Sequence, residues 1–361
     1  MFAGKAEART FYISNDLGDD TRTSTQAQNS ATPWKNHPDS NLATSNSATM
    51  KTNFVAGDTI ILRKGETWWD TQLTSGKAGT GPADSQLITT KTEDGFGIGA
   101  KPIIAGAVLL NGTWTDTGVN GEYRIALTTQ PFVVYNGDTE LVSGTSGSLA
   151  SNGFGWSSNF LYVKIGSDPT GGNIQAAQRY AVKSQNDYRK YENIDFRYSN
   201  NTTAGVFYSG AAVIGTVLNG NSFSRGETYG IRCYKCTSPI INNNTVTARP
   251  SDTTGTLIYI SDGGSGGSIY GNTISGADVG IEPGTLMNVY LNNISNSLSS
   301  GIYYIGNNNS IYSNTISASS TGVNFNGNNN SIYSNTLSAS STGIYFNGSI
   351  RCTPCQDNNI G

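Results

Sequence analysis

Through the C-terminal half of the chain, apolar and polar residues alternate in short bursts, Ser-Ile-Tyr-Ser and then Gly-Ile-Tyr-Phe, separated by clusters of Asn, Gly and Ser. Alternation with period two sends one side chain inward and the next outward. Each burst therefore predicts a short strand and each cluster a turn, with no room for a helix. The bursts recur: residues 310–330 read SIYSNTISASSTGVNFNGNNN and residues 331–348 read SIYSNTLSASSTGIYFNG. A unit this short cannot bury an apolar face alone and must stack on copies of itself, which predicts a solenoid.

The phrase can be followed backward with growing irregularity. Asn221, Asn244, Asn272, Asn292, Asn314 and Asn335 mark six copies at steps of 23, 28, 20, 22 and 21 residues, and the longer steps are expected to carry loops. Successive units should pair as parallel strands, with like residues about 4.8 Å apart up the stack. Ile269, Ile311 and Ile332 are expected inside. Asn272, Asn292, Asn314 and Asn335 are expected in one corner column, each tolerating the left-handed conformation while its amide bonds to the Asn above and below.

Composition sharpens this picture. Only 13% of residues are charged, while 44 glycines supply corners. With 361 residues and 36% apolar content, one elongated domain over 1–361 is expected: 1–110 as an N-terminal cap and first coils, 111–190 as irregular coils and loops, and 191–361 as regular Asn-rich coils. A net charge of −3 gives no basic footprint for nucleic acid, and no run is long enough for a membrane-spanning helix. The first eight residues lack an apolar signal core. Low charge, abundant Asn and Thr, and two close cysteine pairs nevertheless fit an extracellular or cell-surface protein.

The cysteines fall as Cys233-x-x-Cys236 and Cys352-x-x-Cys355. The pairs lie about five coils apart, on the order of 24 Å, too far to share one tetrahedral metal. Local disulfides within each pair are expected, against free thiols or a site completed by another molecule.

The first half carries a different signature. The stretch RTFYISNDLGDD at 9–20, then Ala31-Thr32-Pro33-Trp34-Lys35, then VAGDTIILRKGETW at 55–68 and Lys101-Pro102-Ile103-Ile104 resemble, in that order, the opening of secreted right-handed parallel β-helix proteins of the pectate-lyase-like superfamily. The resemblance implies an all-β, right-handed parallel β-helix with about 21–28 residues per coil. It implies activity far less, because the superfamily mixes polysaccharide lyases, glycosidases, epimerases, adhesins and phage tailspikes. Its lyases commonly use Lys or Arg as base, often with calcium held by clustered Asp. No such cluster occurs in the central coils. The one dense acidic group, Asp16, Asp19 and Asp20, is either a calcium site or a solvated turn.

Charges that interrupt an otherwise neutral solenoid are the informative ones. Aligning the second strand of each coil on Gly205, Gly230, Thr256, Gly280, Gly301, Gly322 and Gly343 predicts an outward column of Phe207, Arg232, Ile258, Glu282, Tyr303, Asn324 and Tyr345. A stripe of Tyr with isolated charges is a surface on which a sugar chain can lie. Neighbouring insertions add Arg225, Glu227, Lys235, Arg249, Asp252 and Asp262. For a lyase, Arg232 or Lys235 is the candidate base and Arg225 or Arg249 the partner of the substrate carboxylate. For a glycosidase, two among Glu227, Asp252, Asp262 and Glu282 would form the acid and base pair. Tyr303 and Tyr345 would bind substrate.

Two function classes follow. One is an exported polysaccharide-active enzyme, lyase or glycoside hydrolase, with a groove over the Arg232 to Glu282 coils. The other is a non-catalytic adhesin, carbohydrate-binding or filament-forming protein in which the solenoid is a spacer, consistent with the near-identical coils at 310–348. The chain also ends on a restarted repeat without a polar cap, which raises the expectation of end-to-end self-association or of a longer parent chain.

Overall fold

The computed structural model describes residues 7–199, 205–261, 263–318, 320–339, 341–346 and 359–360. Each coil consists of three short strands joined by tight corners, and like strands pair in parallel into three long sheets of 10, 10 and 9 described strands. Sheet 1 runs from Thr10–Ile13 through Val217–Asn219 to Ser331–Tyr333. Sheet 2 runs from Thr67–Trp68 through Ser222–Ser224 to Asn359–Ile360. Sheet 3 runs from Leu73–Thr74 through Tyr229–Tyr234 to Thr342–Phe346.

Period-two patterning sets the core. On sheet 1, Tyr191, Leu218, Ile241, Ile269, Val289, Ile311 and Ile332 pair in one unbroken register and are buried. Sheets 2 and 3 contribute matching columns, such as Val246, Ile274, Ile294 and Ile316, and Ile231, Ile258, Ile281 and Ile302. On the outward face of sheet 1, Tyr270, Tyr290, Tyr312 and Tyr333 stack with centroids 4.8 to 5.0 Å apart and nearly parallel planes.

The asparagine column forms as expected at the corner between sheets 1 and 2. Each backbone N–H donates to the amide oxygen of the next Asn along the stack, from Asn221 to Asn335, at 2.9 to 3.1 Å. Each Asn Nδ2 in turn donates to a carbonyl of the previous coil, as Asn314 does to Val289 at 2.9 Å. The left-handed residue is not this Asn but the one before it: Gly220, Asn243, Gly271, Leu291, Ser313 and Ser334 all have positive φ. The preceding residue makes the reversal, which turns the Asn side chain into the corner, where the column is buried to 1% exposure or less. A second, unanticipated ladder closes the corner between sheets 3 and 1, where Met287 N donates to Asn309 Oδ1 and Asn309 N to Asn330 Oδ1. The Asn-Asn-Asn runs at 307–309 and 328–330 were its signal.

The resemblance motifs occupy the N-terminal coils. Thr59–Leu62 and Ile103–Ala105 are strands of sheets 1 and 2, and buried Asp58 pairs with Arg9 at 2.7 Å, tying the first two coils together. His37 is enclosed beside the buried Arg189–Asp39 ion pair, and burial lowers its pKa to about 4, so it stays neutral and structural.

Between Ile103–Ala105 and Val182–Ser184 the chain leaves the solenoid. Residues expected to form irregular coils instead build two sheets dominated by antiparallel pairing, one of Ala107–Leu110, Val134–Asn136, Thr139–Glu140 and Ile174–Ala177, the other of Thr115–Asp116, Tyr123–Ala126, Val142–Ser143, Gly153–Ser157 and Phe160–Lys164. Trp114, Val134, Leu141, Phe154, Leu161 and Val163 give this insertion a core of its own.

Cys233 and Cys236 are disulfide-bonded across the corner after Tyr229–Tyr234; Cys352 and Cys355 lie outside the described residues. Chain-entropy reasoning gives so short a loop about 2 kcal/mol. The Cys233→Ala/Cys236→Ala double variant is expected to lose about that much in denaturant unfolding, and the unreduced parent should show the bridge by mass spectrometry; an unchanged midpoint would contradict it.

Candidate functional site

The candidate side chains separate into two groups. The first lies on the outward face of sheet 3, where the register pairs Lys183 with Tyr208, Tyr208 with Arg232, Arg232 with Tyr259 and Tyr259 with Glu282. The row continues through Tyr303, Asn324 and half-exposed Tyr345. Phe207 and Ile258, expected in this row, are fully buried. The glycine alignment slipped there by one residue, because Gly205 and Thr256 pair with Tyr229 rather than with Gly230, and a slip of one exchanges the faces. Tyr208 and Tyr259 take their places, and they make the row more aromatic than expected.

Arg232 sits among three of these rings, 5.2 Å from the centroid of Tyr229, 5.7 Å from Tyr259 and 6.0 Å from Tyr208, while Tyr229 and Tyr259 stack on each other at 5.3 Å. Cation–π attraction therefore holds the guanidinium in place on the sheet. Two strands further on, Glu282 borders a cavity of about 270 Å³ lined by Tyr259, Ser261, Pro283 and Ile305. Burial pushes its carboxyl up to about 7, with no charged neighbour offsetting it. The two charges are separated by two strand spacings, on the order of 10 Å. Lys235 stands at the exposed corner after the same strand as Arg232, its ammonium over the Tyr234 ring at 5.1 Å. Asp262 lies outside the described residues.

The second group gathers at the corner between sheets 2 and 3, where the insertion packs against the solenoid. Arg249 donates to Glu227 at 2.8 Å and to Glu140 of the insertion at 3.2 Å. Ser251 Oγ donates to Glu140 at 2.5 Å. Arg225 reaches Asp138, Gln175 and the Gly137 carbonyl, with its guanidinium over the rings of Tyr135 and Tyr198. Burial raises Glu227 to about 7 in spite of Arg249, helped by Asp252 and Glu140, and burial likewise raises Asp252. Arg225 and Arg249 are thus committed to the insertion. Glu140 and Tyr135, which complete the cluster, carried no signal in the sequence because they lie far upstream of the coils they meet.

The Asp16–Asp20 loop has a different role. The Asp20 carboxylate accepts from the backbone of Lys35, Asn36 and Thr44 and from the side chains of Asn36 and Thr44, and Asp19 accepts from Thr21. The Asp20 carboxylate is thus taken up by the loop's own hydrogen bonds. Among the described residues, no three His, Cys, Asp or Glu side chains lie close enough together to hold a metal ion.

No protein-family model matches the chain, and no curated protein matches it. Among solved structures it is similar to XylC in complex with xylose, with a TM-score of 0.63 at 15% identity, covering 94% of this chain and 68% of that one. Pectate lyase Pel9A matches with a TM-score of 0.51 at 12% identity over 96% of this chain and 79% of its own. A glycoside hydrolase matches at 0.50 and 8% identity over 95% and 97%. These likenesses show the fold, a parallel β-helix. No described helix is long and apolar enough to cross a membrane.

Proposed function

We propose that the chain is an exported polysaccharide-active enzyme that binds an extended sugar chain along the outward face of sheet 3 and cleaves it by acid–base chemistry between Arg232 and Glu282. The observation that carries this reading is a half-buried carboxyl at the edge of a cavity, its pKa pushed up to about 7 by burial, on the same outward row as a ring-held arginine. Perturbed titratable groups converging at a concave surface are the usual mark of a reaction centre. The neighbours' names, pectate lyase and glycoside hydrolase, point the same way.

Of the two reactions, β-elimination fits the described groups better, since this outward row offers a single carboxyl, Glu282, alongside the cations Lys183 and Arg232 rather than two carboxyls. A guanidinium stays charged at any ordinary pH, so Arg232 suits pairing with a uronate carboxylate better than removing a proton. That pairing acidifies the C–H beside the carboxylate. In this scheme Tyr259, between the two charges, acts as the phenolate: it takes the C–H proton and becomes the phenol, while protonated Glu282 gives its proton to the leaving glycosidic oxygen as the C–O bond breaks and a C=C bond forms. Tyr303 and Tyr345 extend the platform. An extracellular or cell-surface location fits the Cys233–Cys236 bridge, which persists in oxidising compartments.

A panel of polygalacturonate, alginate and neutral polysaccharides tests the reading. Uronate polymers should yield product absorbing as a conjugated alkene. Reducing ends without that absorbance would shift the assignment to hydrolysis, and binding without either product would leave the sheet as an adhesive surface.

A further inference from the structure

Besides the groove, a cleft of about 680 Å³ opens between the insertion and the solenoid. Its wall is apolar and aromatic, with Phe132, Leu141, Phe154 and Trp156, and its floor is the Glu140–Arg249–Ser251 cluster. Trp156 is only partly buried and lines the cleft, and its indole N–H donates to the Leu127 carbonyl at 2.8 Å, which fixes the ring at the cleft wall. Beneath the floor, Glu227 is 8% exposed and its Oε2 has no hydrogen-bond partner, and the buried Arg249 Nε likewise has none. Buried polar atoms are rarely left so, and the unspent Nε of Arg249 leaves the floor of the cleft with hydrogen-bonding capacity to spare.

We infer that this cleft is a second carbohydrate site, taking a neutral sugar ring stacked on Trp156 with its hydroxyls directed at Glu140, Arg249 and Ser251. Sugar chemistry matches both halves of the cleft. The C–H face of a pyranose lies against an aromatic ring, while its hydroxyl groups both donate and accept, as a carboxylate beside a guanidinium requires. Neutrality follows from charge. Three carboxyl groups, Glu140, Glu227 and Asp252, surround the single guanidinium of Arg249, which is already paired with Glu140 and Glu227, so no free cation is left for a further carboxylate. A uronate is disfavoured here, whereas Arg232 on sheet 3 suits one. The two sites would thus hold different parts of a mixed polysaccharide, or anchor the protein on one polymer while it acts on another.

Calorimetric titration of the whole protein with xylohexaose, cellohexaose and hexagalacturonate tests this inference independently of any turnover. At least one neutral hexasaccharide should bind. Trp156→Ala should weaken that binding about tenfold, and Glu282→Gln should leave it unchanged. Because Trp156 also packs on the insertion core, a second variant guards the test: Val142→Trp, at an exposed lining position, fills the cleft and should block the neutral sugar while the melting temperature is kept. Absence of neutral-sugar binding, binding indifferent to both variants, or binding lost with Glu282→Gln instead would overturn the assignment. Failure of the groove reading would appear only as missing turnover with cleft binding intact.

Discussion

Replacing Asn314 with leucine is expected to lower the unfolding free energy by about 2–6 kcal/mol, since two buried backbone groups lose their partners at about 1–3 kcal/mol each. Asn314 Oδ1 accepts from Asn292 N at 3.0 Å, and Asn314 Nδ2 donates to the Val289 carbonyl at 2.9 Å and to Asn335 Oδ1 at 3.0 Å. Leucine has a similar volume and can supply none of these bonds, and at 1% exposure water does not reach the corner to replace them. Equilibrium denaturation monitored by circular dichroism measures the effect. A shift below about 1 kcal/mol would mean that the ladder is packing rather than hydrogen bonding. The damage should also be local, because each coil contacts mainly its neighbours and stability adds coil by coil. Amide exchange should therefore rise most in the coils on either side.

Glu282→Gln is expected to reduce turnover about 10²–10⁴-fold, the range of a lost general acid, while the protein remains folded. With the carboxyl raised to about 7, the parent's activity should fall as pH rises past neutrality, and the variant should lose that limb of the profile. Stability provides an independent check. The folded carboxyl holds its proton up to about 7, whereas an unfolded glutamate releases it near its ordinary 4.5. The folded state binds the proton more tightly between those values, so the contribution of this group is complete below the lower one and is lost as pH rises through the upper one. The glutamine variant should accordingly be more stable than the parent at about pH 8 and equal to it at about pH 4. A variant that retains most of its activity would remove Glu282 from the reaction, and equal stability at both pH values would place its carboxyl in water.

The fold could be read because its order is one-dimensional. Ile311 and Asn314 recur as Ile332 and Asn335, and a residue that repeats every coil must occupy the same place in each. The insertion has no such echo. Its antiparallel strands pair Phe154 with Val163 and Leu161 with Ile125, contacts that no period announces. The charged row was half legible. Arg232 and Glu282 stand out from a neutral background, but Phe207 and Ile258 were misplaced because glycine marks a corner only loosely, whereas the strand registers set the face. The cleft was invisible from sequence because Glu140 and Trp156 reach the solenoid across a separation that only folding closes.

The register between the coils at 310–325 and 331–346 has a consequence for the gene. Ser310 faces Ser331, Tyr312 faces Tyr333, Thr315 faces Thr336 and Val323 faces Ile344 without a shift. A duplication or deletion of one 21-residue period here would present each neighbouring coil with nearly the side chains it already meets, Val for Ile and Ile for Leu among the inward ones. The length of the rod is thus a quantity that replication slippage can adjust in steps of about 4.8 Å, while the coils bearing Arg232 and Glu282, whose loops differ one from another, stay outside that drift. Natural variants of this chain should differ in rod length before they differ in chemistry.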